Sequence, residues 1–326
     1  MPLAGFEALA EFAGPQLARA ILSGPDPGEF ARATQWMDVP DHRVVCIGEE
    51  AYPAMLREIP DPPPALFVTG KLELAHGPCI AMVGSRNCSP QGAIDARNFA
   101  RALSDAGLCI VSGLALGIDA AAHEGGLAGA SSSIAVMGTG PEIHYPPRNR
   151  VLASRLETLG CTITEFAPGT PPSPGNFPRR NRLISGLAKA VLVIEANSKS
   201  GSLLTAKSAV DQGRDVFALP GSIHSTLSKG CHLLIKDGAA LVETVRDILQ
   251  GLGMAPAGEA VAQADGRRAD DPVLRAMGFE PVSPDQIALR TGIAVNIVGT
   301  HLARMQLEGA VAAMPGGRYQ RVASPA

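Results

Sequence analysis

The 326-residue sequence predicts an α/β protein built on a doubly wound, mostly parallel sheet, and three observations carry that reading. Six short runs read as strands, the clearest of them, such as Val191–Ile194, nearly all apolar: Cys79–Val83, Leu108–Ser112, Ser133–Met137, Cys161–Glu165, Ala190–Glu195 and Asp215–Leu219. Strands of that composition are buried on both faces, as parallel strands are. Helix-like stretches at 90–106, 118–129, 148–159, 179–188 and 201–212 alternate with them, which is the pattern of βα crossovers. Finally, 46% hydrophobic against 18% charged residues leaves enough apolar mass for such a core and excludes a disordered chain.

The flanks read differently. Residues 3–36 are short amphipathic helices broken at Gly14-Pro15 and between Gly24 and Gly28. The run Pro60-Asp61-Pro62-Pro63-Pro64 suits neither helix nor central strand, because proline lacks the donor both require. Residues 1–75 are therefore expected to be a small helical module plus connector, with the sheet domain at 76–250. Residues 251–270, rich in alanine and glycine, read as a flexible linker. In 271–326, helices at Pro284–Arg290 and Val295–Glu308 flank Thr291-Gly292-Ile293. A hairpin over Ala310–Val322 turns at Gly316-Gly317. Helix-turn-helix plus hairpin is similar to a winged helix. Its charges nearly balance, so DNA contact there is not evident.

Composition narrows the function. Gly 36 and Pro 27 are high but not periodic, which excludes collagen-like chains. The net charge is -3, yet residues 146–182 carry six arginines against Glu157 and Glu165. An acidic protein with one basic patch holds a focused anion site. The six cysteines form no CxxC, so zinc-ribbon and thioredoxin motifs are absent and buried free thiols are expected. No metal site is expected. No run of 18 apolar residues and no charged leader occur, so a cytoplasmic protein without membrane contact is expected.

Ligands of open parallel sheets bind beyond the carboxyl ends of the strands, so the residues after each strand matter most. After the first come Gly84, Ser85 and Arg86, a tight turn with amides, a hydroxyl and a guanidinium suited to an oxyanion. After the second come Ser112 and Gly113, then Asp119 and His123 at i, i+4. No nucleophile accompanies that pair, so a cap with a tethered histidine is favoured over a catalytic dyad. After the third, Ile143 stands where a dinucleotide fingerprint needs its last glycine. Tyr145, Arg148, Asn149 and Arg150 follow in a proline-stiffened loop, suited to a phosphate-bearing ligand with a base to stack.

The fourth strand end is the most informative. Phe177 is followed by Arg179, Arg180, Asn181 and Arg182 at a helix start. Aromatic stacking beside a cationic groove is how single strands are held without sequence readout. Cations at a helix N-terminus oppose its dipole, so without compensating acids they imply an anionic partner. After the fifth strand, Gly201 and Ser202 open another helix, but Ala206 replaces the glycine of an ATP-binding loop. Lys229 follows the sixth. No acid–base pair, nucleophile or metal cluster emerges, so catalytic residues and cofactors are not expected. The surface reads as a binder of polyanions.

Six segments together resemble the DNA-processing protein A (DprA/Smf) family: MVGSRNCSPQG at 82–92, VSGLALGIDAAAH at 111–123, GTGPEIHYPPRN at 138–149, FPRRNRLISGL at 177–187, VLVIEANSKSGSLLTA at 191–206, and FALPG with SKGCHLLIKDGA across 217–239. The resemblance covers roughly residues 40–250, and more weakly the winged-helix-like end. It implies an extended Rossmann-like fold that binds no dinucleotide. It also implies a non-enzymatic homodimer that binds and protects single-stranded DNA and loads the RecA recombinase in natural transformation. In such proteins the GSR loop holds phosphates, which carries to Gly84, Ser85 and Arg86. The FPRRN segment lines the DNA pocket, which carries to Phe177, Arg179, Arg180 and Asn181, and Arg148 adds a contact. Two positions depart from the pattern: Leu116 replaces an arginine and His232 an asparagine. The rival readings are a Rossmann-type nucleotide hydrolase or phosphoribohydrolase using the same loops, and a duplex-binding regulator using 271–326.

Overall fold

The computed structural model describes residues 5–24, 26–254 and 271–322. Three helices come first: α1 (Phe6–Ala13), α2 (Pro15–Ser23) and α3 (Pro27–Met37). Two of them begin at proline, whose missing donor costs nothing in a first turn. Strand β1 (His42–Cys46), the one-turn helix α4 (Ala54–Arg57) and β2 (Ala65–Gly70) follow. Then come β3 (Cys79–Val83), α5 (Pro90–Asp105), β4 (Cys109–Ser112), α6 (Ile118–Ala128), β5 (Ser133–Val136), α7 (Arg150–Leu159) and β6 (Cys161–Thr164). The second half of the sheet uses α8 (Asn176–Gly186), β7 (Ala190–Val193), α9 (Ser202–Asp211), β8 (Asp215–Ala218), α10 (Lys229–Lys236), β9 (Ala240–Leu241) and α11 (Val245–Gly251).

The nine strands lie in the order β1-β2-β6-β5-β4-β3-β7-β8-β9. From β6 to β9 all neighbours are parallel, whereas β1 and β2 are antiparallel to their neighbours. All six expected strands are present, with their apolar runs as their centres. Residues 42–70 differ from the sequence reading, which placed them in a connector. They supply a hairpin that extends the sheet, and the proline run lies between its strands.

Alternation along each strand sends side chains to two cores. In β3, Ala81 and Val83 face one core with α8 and α9, while Ile80 and Met82 face the other with α5, α6 and α11. Cys79, Cys109, Cys161 and Cys231 are buried free thiols, as their strand and helix positions require. Trp36 of α3 stacks on His42 of β1 with centroids 4.4 Å apart, fastening the N-terminal helices to the sheet edge.

Winding reverses between β3 and β7, and the crossover helix beginning at that switch is α5. In folds of this kind such a helix offers its N-terminal amides to a ligand phosphate. Here the seat is filled from within. Glu195, at the end of β7, accepts the Ser89 amide at 2.8 Å and the Ser89 hydroxyl at 2.6 Å, and Ser89 caps Gly92.

The loop between β4 and α6 is held by buried polar groups. Leu114 sits at φ 58°, costly for a branched side chain. Its amide donates to His123 Nε2 at 3.2 Å, and Asn149 Nδ2 donates to its carbonyl at 2.8 Å. That leaves the His123 Nδ1 proton for Ser133 Oγ, 2.7 Å away, which passes its own to the Ile110 carbonyl. Asp119 accepts the amides of Gly113 and Ala115. Asp119 and His123 both serve structure, as the favoured sequence reading has it, but they brace the β4–α6 loop separately: Asp119 caps no amide of α6, and His123 is tethered to Ser133 rather than to Asp119.

The C-terminal module has its own core around Val273, Ile287, Val298, Leu302 and Met305. It comprises α12 (Pro272–Met277), α13 (Pro284–Thr291), α14 (Val295–Leu307) and the hairpin β10 (Val311–Met314) and β11 (Arg318–Arg321). Gly316 and Gly317, both at positive φ, make its turn. The sequence reading missed α12. Of the expected linker, Gly251 ends α11 and Met254 packs on the sheet core. Residues 255–270 lie outside the described residues.

Burial pulls the His123 pKa from 6.5 down to about 3, so folded imidazole stays neutral where the unfolded chain takes up a proton. Stability that is complete above pH 6.5 is therefore lost as pH falls through this window. Against a His123→Gln variant, urea unfolding at stepped pH should show the wild type losing up to about 1.4 kcal/mol per pH unit. A difference that does not vary with pH would show a normally titrating histidine.

Candidate nucleic-acid interface

Five of the expected site residues converge at the carboxyl ends of the central strands. Arg86, Gly113, Tyr145, Phe177 and Arg180 line one cavity of about 110 Å³, together with Ala115, Leu116 and Pro146. Phe177 lies half-buried against Gly138, with the Tyr145 ring 5.6 Å away. The Arg86 guanidinium stands 5.7 Å from the Phe177 ring centroid. Arg86 is exposed and has no carboxylate partner among the described residues. Tyr145 is 43% exposed. An exposed cation over one ring, with a second, exposed ring beside it, can hold a phosphate and a stacked base together.

The other members of the first loop are occupied. The Ser85 amide donates to the Glu195 carbonyl at 2.7 Å, and its hydroxyl accepts from Asn87. Gly84 is required by packing: a Cβ there would come within 2.6 Å of Ile118 and 2.8 Å of the Glu195 carbonyl. Ser112 is wholly buried, donating to the Met82 carbonyl at 2.6 Å inside the sheet.

Arg180 is an internal strut rather than an exposed clamp. It is 4% exposed, and its Nη1 donates to the carbonyls of Gly113, at 2.6 Å, and Val136. A side chain on Gly113 would collide with its guanidinium, at 2.6 Å. Burial pulls the Arg180 pKa down to about 10, opposed by Asp119, so it remains a cation at neutral pH. Burial equally pushes Asp119 upward, opposed by Arg180. Arg180 therefore supplies a fixed positive floor and ties the ends of β4 and β5.

The compensating acid that the sequence argument asked about is present. Glu165, at the end of β6, binds Arg179 at 2.9 Å and Arg182 at 2.6 Å. Arg182 also meets Asp61 at 3.4 Å. The cluster of six arginines is thus partly neutralised from within. Arg148 and Arg150 are exposed. Asn149, expected as a ligand, is a buried latch on the carbonyls of Leu114 and Ala115.

The remaining expected residues stand outside the cavity. Asn181 reaches toward the Gly201 carbonyl at 3.5 Å and accepts from Arg180. The Ser202 hydroxyl pairs with that of Ser200 at 2.7 Å. Lys229 donates to the Ile223 carbonyl and lines a separate cavity of about 620 Å³ with Ile223, His232, Leu233 and Leu241. Sequence reasoning missed the contributions of Ala115 and Pro146 to the pocket wall, and the neutralising role of Glu165. The long loop separating Glu165 from its arginines hid that pairing.

Residues 43–253 match the family model described as DNA recombination-mediator protein A, and residues 246–317 match a DprA winged helix domain. The chain is 43% identical over 292 residues to Protein Smf of Escherichia coli strain K12, covering 86% of this chain and 78% of that protein. DNA processing protein A from Streptococcus pneumoniae superposes with a TM-score of 0.70 at 40% identity, over 76% of this chain and 86% of that one. The Helicobacter pylori DprA structure, which concerns a single-stranded DNA binding mode, gives 0.58 at 27% identity, over 65% and 95%. Sheet, strand-end motifs and C-terminal module thus agree on one assignment: the chain belongs to the DNA recombination-mediator protein A (DprA/Smf) family.

Proposed function

We propose that this protein binds single-stranded DNA at the strand-end pocket and acts as a recombination mediator, delivering the strand to the RecA recombinase. The observation that carries the reading is the unpaired Arg86 guanidinium over Phe177, beside the accessible Tyr145 ring. Arg86 and Arg148 would take phosphates, with Arg180 contributing charge from beneath, while Phe177 and Tyr145 would take bases. Gly84 and Ser85 shape the loop that carries Arg86, while Ser112 ties β4 to β3 and Asn149 holds the neighbouring β4–α6 loop. Gly201, Ser202 and Lys229 would serve only a strand longer than the pocket holds. Family membership supports delivery to RecA.

A binding role is favoured over a nucleotide hydrolase or phosphoribohydrolase. The Asp119–His123 pair is buried with its hydrogen bonds filled, and the phosphate seat of α5 is occupied by Glu195. A duplex reader built on 271–326 has less support. The exposed face of α14 mixes the apolar Val295, Ile297 and Leu307 with Asn296, Thr300, Arg304 and Gln306, and the near balance of charge in 271–322 gives it no basic stripe of the kind duplex readers carry. No helix among the described residues is long and apolar enough to cross a membrane; the cytoplasmic setting is part of the proposal. The proposed homodimer contact would lie at the β9 edge, where the exposed Ile223, Leu233 and Leu241 line one cavity.

Fluorescence anisotropy with labelled poly-dT tests the DNA reading. Wild-type affinity should fall with salt, with a log–log slope of about -0.7 per phosphate neutralised. Arg86→Ala should flatten that slope, and Phe177→Ala should cost about 1–3 kcal/mol. RecA assembly on the bound strand should be faster with wild type than with Arg86→Ala. Tighter binding of duplex than of single strand would overturn the proposal. A chain ending at residue 254 should keep most of its affinity; collapse would move the site to the C-terminal module. Leu241→Glu should convert a dimer to a monomer in sedimentation velocity, and an unchanged sedimentation coefficient would exclude this edge.

A further inference from the structure

The geometry points to Glu165 as an internal competitor of phosphate: it occupies Arg179 and so keeps that arginine from contributing to single-strand affinity. This rests on the DNA-binding reading above and concerns how strongly the site binds. The Glu165 side chain is 2% exposed, whereas that of Arg179 is 60% exposed. Arg179 Nη2 meets Glu165 Oε2 at 2.9 Å, and its guanidinium lies 5.5 Å from the Phe166 ring centroid. Arg179 is therefore laid along the protein surface at both ends of its charge, two residues from Phe177.

Arg182 engages the same oxygen, Oε2, at 2.6 Å. Glu165 Oε1 is buried with no partner, and so is Arg182 Nη1. One carboxylate oxygen thus holds two guanidinium groups while the other holds none. The arrangement does not give Glu165 its best hydrogen bonding. It does place a fixed negative charge where an incoming phosphate would meet Arg179.

A phosphate reaching Arg179 would exchange one anion for another. The counterion released on binding is then a protein carboxylate that stays in place and repels the strand. The net gain from that contact is small, as for exposed ion pairs generally. Arg86 has no carboxylate in ion-pair contact among the described residues, only the buried Asp119 acting on it at longer range. Arg182 differs from both: it is 16% exposed and keeps Asp61 as a second acid. Loss of Glu165 therefore frees Arg179 before it frees Arg182.

The test is a double-mutant cycle on the full chain, read by poly-dT anisotropy over a range of salt, with thermal melting to confirm folding. Arg179→Ala alone should weaken binding by less than about threefold. Glu165→Gln should tighten binding by up to about fivefold and steepen the log–log salt slope by about 0.7. Adding Arg179→Ala to Glu165→Gln should abolish both gains. Unchanged or weaker binding by folded Glu165→Gln overturns the inference, as does a gain that survives without Arg179. If Glu165→Gln does not fold, Arg179→Ala alone carries the test: a loss of affinity of about tenfold or more would show Arg179 already contributing in full and would overturn the inference. Failure of wild type to bind poly-dT removes the DNA reading and this inference with it. Wild-type binding with a silent Glu165 removes the inference alone.

Discussion

A buried guanidinium organises the strand ends of this protein. Arg180 reaches from α8 across the sheet to the carbonyls that close β4 and β5, and the absence of a side chain at Gly113 gives it room. A charge out of water is costly unless hydrogen-bonded and compensated. The carbonyls supply the first condition and Asp119 contributes to the second. Asp119 in turn fixes the amides of Gly113 and Ala115, and His123 and Asn149 hold the strained Leu114 between them. Pocket floor, loop conformation and strand spacing therefore share one polar network. Networks of this kind are rigid when complete and costly when broken at any member.

The sheet was legible because its physics is local. Runs such as Val191–Ile194 are apolar at every position, and only a strand covered on both sides has use for that. The β1–β2 hairpin was not legible. His42–Cys46 is mixed in polarity and pairs with β2, whose other neighbour, β6, lies about ninety residues on, so only tertiary pairing decides the state of the hairpin. The prolines between the two strands read as a break, although a loop joining antiparallel neighbours is a fitting place for them.

The site was half legible for a related reason. Residue type identified Arg86, Tyr145 and Phe177, whose surroundings leave them accessible. Type alone could not separate Arg179 and Arg180, which are adjacent in sequence and opposite in circumstance. One lies on the surface against Glu165, and the other is buried under the pocket. Likewise Ser112 and Asn149 carry the right polar groups but spend them on neighbouring backbone. Hydrogen-bond partners far away in sequence decide such cases, and no pattern of spacing encodes them.

The carboxylate of Glu195 at the start of α5 changes the kind of recognition this fold performs. Helix amides hold a phosphate by fixed partial charges that the protein cannot reassign. With that position filled by the protein's own acid, the proposed DNA binding would fall to side-chain cations at the rim. Such contacts are individually weak, respond to ionic strength and act in number. A mononucleotide offers them one or two phosphates, whereas a polymer offers one per residue along its length. Under the proposed function, discrimination between metabolite and polymer would then follow from valency, without a pocket shaped to exclude the smaller ligand.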